Sequence, residues 1–104
     1  MGGKGLPEPD QLRVLMVSSE IAPYAMTGGL GDVVADLPVA LHSLGVDVRR
    51  VMPKYRVVAQ GPWPLKPLFG GLRVQVGSRT EECAAYEHVD RSGVATYFLE
   101  HDGY

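Results

Sequence analysis

The chain has 104 residues, 45% of them apolar and 21% charged, and carries a net charge of −2. That length supports one small domain with one modest core, and that balance excludes wholesale disorder. The charge excludes a basic nucleic-acid footprint and no apolar run is long enough to cross a bilayer, so neither nucleic acid nor a membrane is an expected partner.

Residues 1–11, rich in Gly, Pro and charge, are expected to form a flexible leader ahead of a domain over residues 12–104. The leader lacks the apolar centre of a signal peptide, and Leu6 stands where a myristoylation site needs Ser or Thr. The run Leu12–Ser19 is almost continuously apolar and predicts a strand covered on both faces, as in a parallel sheet. A Pro- and Gly-containing loop follows. Val33, Val34, Leu37, Leu41 and Leu44 then recur at helical spacing, with Gly45 as a natural stop. Pro38 falls inside this helix, removes the bond to the Val34 carbonyl and predicts a kink or loosened turn. Val46–Pro53 predicts a second strand, completing a strand–helix–strand unit with parallel strands.

Residues 54–71, punctuated by Pro and Gly, read as a long surface loop. Leu72, Val74 and Val76 alternate with polar residues and predict a strand, which 79–90 continues as a candidate hairpin spanning 72–89. Residues 90–93 predict a turn, and 94–101 a last strand. The expected fold is therefore α/β: a Rossmann-like, mainly parallel sheet with a flanking helix and a hairpin. A sheet this small exposes its edges, so self-association through them is expected.

Cys83 is the single cysteine, which rules out an internal disulfide and fits a reducing, cytoplasmic setting. No His, Cys or carboxylate falls at metal-ligand spacing, so neither metal nor other cofactor is expected. His42, near the helix end, suits a surface or capping role. Trp63 either meets a ligand or pegs its loop to the core, and Tyr86 and Tyr97 are expected to face each other or the core.

The chemistry concentrates in the loop between the first strand and the helix. Helix N-termini offer unpaired N–H groups and the positive dipole end, and glycines let backbone approach a ligand closely. Gly28, Gly29 and Gly31 fall within four residues there. The dinucleotide pattern fails, because Val34 occupies its third glycine position, and no Gly-Lys-Ser/Thr ending marks a P-loop. A diphosphate meeting Gly28, Gly29 and Leu30 is one reading. A plain strand-to-helix turn is the other.

The stretch from Arg13 to Tyr55 resembles the N-terminus of bacterial glycogen synthases and plant starch synthases, whose signature is Lys-Thr-Gly-Gly-Leu-Gly/Ala-Asp-Val after a strand ending in Ser-Glu-x-x-Pro. The likeness continues through residues 72–82 and 94–104. It implies a retaining glucosyltransferase of two Rossmann-like domains, moving glucose from ADP-glucose to the non-reducing end of an α-1,4-glucan, without a metal. By the resemblance, Thr27, Gly28, Gly29 and Leu30 lie beside the donor. Asp32 contacts the glucose or orders the loop, and Glu20 binds the acceptor or orients the loop. Tyr24, beside the loop, either stacks on a sugar or base or packs against Pro23.

Met26 departs from the pattern, standing where the family has Lys. A lysine there offsets the phosphates' charge, and methionine supplies neither charge nor donor. The resemblance also places this chain within the family's acceptor-side domain, without the nucleotide-binding domain, and so implies that these residues alone are inactive. Two further readings stand beside it: a non-catalytic carbohydrate- or nucleotide-binding module, and a subunit that completes a split enzyme.

Overall fold

The computed structural model describes Glu8, residues 11–26 and residues 29–101. Most of the expected leader, together with Thr27 and Gly28 of the glycine loop, lies outside the described residues. The order of elements is β1 (Arg13–Val17), α1 (Leu30–Ser43), β2 (Asp47–Pro53), α2 (Arg56–Ala59), β3 (Lys66–Val76), β4 (Arg79–Val89) and β5 (Ala95–Glu100). They build one five-stranded sheet in the order β1-β2-β5-β4-β3. β1, β2 and β5 run parallel, while β4 and β3 add an antiparallel half. This is the expected α/β architecture, and the hairpin is present, closed by Gly77 in the left-handed region at φ 62°.

The alternation of β2 decides how the sheet is covered. Val48, Arg50 and Met52 point to one face and are buried. Phe98 and Thr96 of β5 lie beside Met52 and Arg50 on that same face. α1 and the loop after β1 cover it, and the main core forms there from Ile21, Tyr24, Val34, Met52, Val58 and Phe98. The opposite face is not covered by the described residues: Leu15 is 58% exposed and Val17 74%. β1 is therefore not the doubly covered strand its composition predicts.

α1 closes at its C-terminus as the sequence suggests. Gly45 takes φ 89°, its N–H donates to the His42 carbonyl at 3.0 Å, and the Val46 N–H donates to Leu41 at 3.2 Å. These two bonds satisfy carbonyls that the helix end would otherwise strand. The buried stripe, however, is rotated from the predicted one. Gly31, Val34 and Pro38 are buried, whereas Val33, Leu37 and Leu44 are exposed. Small residues and the flat proline ring let the helix lie close on the sheet, and the larger side chains turn outward. α1 stays continuous through Pro38. Beside it, the Ala35 carbonyl accepts a long bond, 3.4 Å, from Arg50 Nη1.

The long surface loop predicted for 54–71 is largely structured. α2 buries Val58 completely, and Trp63 and Leu65 pack against the core. β3 begins at Lys66, because Gly70 and Gly71 are absorbed at register shifts between Pro67 and Leu72 instead of ending the strand. Trp63 pegs its segment, as one of its two readings had it. Tyr86 packs on the core, but Tyr97 lies on the other face, where its hydroxyl meets Arg49. Register explains the difference: Tyr86 opposes Phe98, and Glu87 opposes Tyr97.

Candidate functional site

Because β1, β2 and β5 are parallel, their carboxyl ends at Val17, Pro53 and Glu100 share one rim. Crevices at such rims are where open α/β sheets bind ligands. The loop leaving β1 is fastened to this rim at both ends. The Ser18 N–H donates to the Val51 carbonyl at 3.0 Å, and the Ser18 hydroxyl donates to the Glu20 carbonyl at 2.7 Å. Farther on, the Ala22 N–H donates to the Gly31 carbonyl at 3.0 Å, holding the start of α1 against the loop. The Tyr55 hydroxyl, just after β2, donates to the Ser19 carbonyl at 3.0 Å.

Under this loop opens a cleft of about 650 Å³, lined among others by Ser19, Glu20, Met26 and Tyr55. Three sequence-predicted residues, Glu20, Tyr24 and Met26, thus share it. Met26 is 52% exposed. Asp32 and Leu30 are exposed in the first turn of α1. Glu20 does more than line the cleft: its Oε1 accepts the Gly31 N–H at 3.2 Å. A carboxylate thereby occupies one amide of the helix N-terminus, where the dipole favours negative charge.

The two described loop glycines differ in what requires them. At Gly31 an added Cβ would sit 2.9 Å from Met26 Cγ and 3.4 Å from the Ala22 nitrogen, so a side chain there would have to displace Met26. Gly29, the N-cap of α1, has φ −76°, and an added Cβ would meet nothing within 4 Å. Neither backbone conformation nor packing among the described residues requires Gly29 to lack a side chain.

Tyr24 offers no free ring face for stacking. It is 2% exposed, packs edge-on against Trp63 and Phe98 at centroid distances of 5.0 Å, and its hydroxyl bonds His88 Nδ1 at 2.7 Å. Burial pushes its phenol pKa up. Of the two readings of this residue, the structure favours packing, with the core rather than Pro23 as its main partner.

At the same rim, Lys54 Nζ pairs with Glu100 Oε2 at 2.6 Å and lies 4.0 Å from the centroid of the Tyr86 ring. Deeper in the sheet, Arg50 is 1% exposed and pairs with Asp90 at 3.1 Å. Burial works to raise the Asp90 pKa, but bonds from Ser92 and the Arg50 guanidinium outweigh it and hold the carboxyl below the usual range. Sequence reasoning missed this pair. The signal was available, since Arg50 falls in phase with the inward-facing Val48 and Met52.

Comparison with known proteins agrees with this fold. Residues 13–104 match the family model described as the starch synthase catalytic domain. Glycogen synthase 1 of Geobacter metallireducens is 45% identical over 96 residues, which cover 90% of this chain and 19% of that protein. The glycogen synthase of Anoxybacillus flavithermus is 38% identical over 93 residues, again 19% of its length. Among solved structures, the catalytic domain of starch synthase IV from Arabidopsis thaliana, bound to ADP and acarbose, superposes with a TM-score of 0.77 at 29% identity. That match covers 88% of this chain and 18% of that one. The chain spans about a fifth of the length of these relatives, and it belongs to the starch synthase catalytic domain family.

Proposed function

We propose that this chain forms the acceptor-side wall of a cytoplasmic retaining glucosyltransferase that moves glucose from ADP-glucose to the non-reducing end of an α-1,4-glucan. In this reading residues 12–104 are part of an N-terminal Rossmann-like domain, and the donor sits between it and a second, nucleotide-binding domain. The amides of Thr27 to Leu30 meet the donor's diphosphate and glucose, Asp32 orders the loop or touches the glucose, and Glu20 holds the loop in place from below. Tyr24 serves as scaffold. Catalysis by differential binding of the transition state needs both walls of the cleft, so these 104 residues alone bind weakly and turn nothing over.

The observation that carries the reading is Gly29. It stands at the carboxyl rim of the sheet with no internal need to be glycine. A group approaching from outside, too close for a Cβ, supplies that need. The relative solved with ADP and acarbose supports nucleotide and glucan chemistry for the family. Calorimetry on the intact chain with ADP-glucose and with a maltooligosaccharide tests it, followed by activity on co-expression with the remaining four fifths of a relative. Restored glucan synthesis that Gly29→Val abolishes supports the reading; restored synthesis indifferent to Gly29→Val defeats it.

Met26 favours a second reading. Without the family's lysine, a non-catalytic carbohydrate- or nucleotide-binding module is also served by this loop, and tight binding with no turnover in the completed complex would select it.

A further inference from the structure

β3 is the last strand of the sheet, and all eleven of its residues are exposed. Its outer edge therefore presents main-chain donors and acceptors. Which residues present them follows from register. The Gly77–Ser78 turn closes on the pair Val76 and Arg79, with Val74 opposite Glu81 and Leu72 opposite Cys83. In a two-residue hairpin the closing pair exchanges both hydrogen bonds, and bonded pairs then alternate. Val76, Val74 and Leu72 accordingly bond inward to β4, while Arg73 and Gln75 direct their N–H and C=O groups to the open edge.

We propose that this edge is an interface between two copies of the chain, paired antiparallel about a two-fold axis through Val74. Such an axis sets Arg73 of one copy opposite Gln75 of the other, and Leu72 opposite Val76. The outward-directed residues then meet each other and exchange about four main-chain hydrogen bonds. Side chains agree with the backbone. Leu72, Val74 and Val76, all exposed, join into one apolar strip across the axis, and Arg73 faces a neutral amide rather than another cation. The register shifts between Pro67 and Leu72 confine the pairing to 72–76, since an irregular edge does not template a partner. The segment Leu-Arg-Val-Gln-Val lacks proline and carries one charge, the composition that leaves an edge unguarded. β1, the other edge, is only five residues long and lacks this self-complementary pattern.

Sedimentation velocity on the intact chain over a concentration series tests the interface. The expected result is a reversible species of twice the monomer mass. Gln75→Pro removes an outward donor, twice per dimer, and no bond to β4. Val74→Lys places two like charges on the axis. Each is expected to raise the dimer dissociation constant at least tenfold, while the Val76 amide stays protected from hydrogen exchange and shows the hairpin intact. In the unaltered chain, protection of the Arg73 and Gln75 amides should rise with concentration. A chain that stays monomeric at all concentrations, or a dimer that neither substitution weakens, overturns the proposal.

Discussion

The Glu20 carboxylate accepts the Gly31 N–H at 3.2 Å across eleven residues of chain, so the loop after β1 caps the helix that follows it. No side chain at the N-cap itself can do this, because Gly29 occupies that position. The cap therefore couples the shape of the glycine loop to the start of α1. Glu20→Ala is expected to destabilise the chain by about 1–2 kcal/mol, within the range for lost caps and charge-assisted bonds. Glu20→Gln keeps an acceptor and should lose about half as much. Urea unfolding measures both; equal losses would show that the neutral acceptor contributes nothing and the charge everything.

Gly31 and Gly29 should respond unequally to the same change. Gly31→Ala forces Cβ to 2.9 Å from Met26 Cγ and close to the Ala22 nitrogen, so it should cost roughly 1–3 kcal/mol, as overpacking does. Gly29→Ala meets open space and should cost under about 1 kcal/mol, the difference between N-cap preferences. Thermal unfolding of the two variants separates them.

Met26 lies half exposed in the cleft, so a lysine there needs no burial of charge. Met26→Lys in the full-length context should tighten ADP-glucose binding by about tenfold, the value of one charge-assisted bond to phosphate. Isothermal titration reads it, and an unchanged dissociation constant would clear Met26 of weakening the donor site.

Arg50 and Asp90 should be unequal when removed. Arg50 is fully buried and its Nε has no hydrogen-bond partner among the described residues, so Asp90→Asn strands a charge and should cost about 3 kcal/mol, the low end for a buried pair because Asp90 is part-exposed. Arg50→Met leaves a carboxylate that water can reach and should cost less. The Asp90 pKa is lower folded than unfolded, so its contribution is complete above the ordinary value of 3.8 and disappears as pH falls through the lower folded value. Stability measured between pH 6 and pH 2 should fall on the acid side, and Asp90→Asn should flatten that slope.

Local pattern was enough for the strand–helix–strand unit, the Gly45 stop, the hairpin and the final strand. Each is announced by a period or a turn residue within a few positions, and each formed where that signal lay. The glycine cluster was legible for the same reason, since three glycines grouped around a helix start are a local feature. Residues 54–71 were misread because Gly and Pro punctuate loops and bulges alike, and only pairing with β4 tells the two apart.

What the sequence alone determined about this protein is its α/β class, the order of its strands and of α1, and its family, all of which are written in spacing and short motifs. Tertiary structure decided which side of α1 is buried, that Tyr24 belongs to the core, that Glu20 caps a helix eleven residues away, and that Arg50 sits beneath that helix paired with Asp90. Those outcomes depend on contacts between residues distant in the chain, and close packing selects among faces that a periodic pattern leaves equivalent.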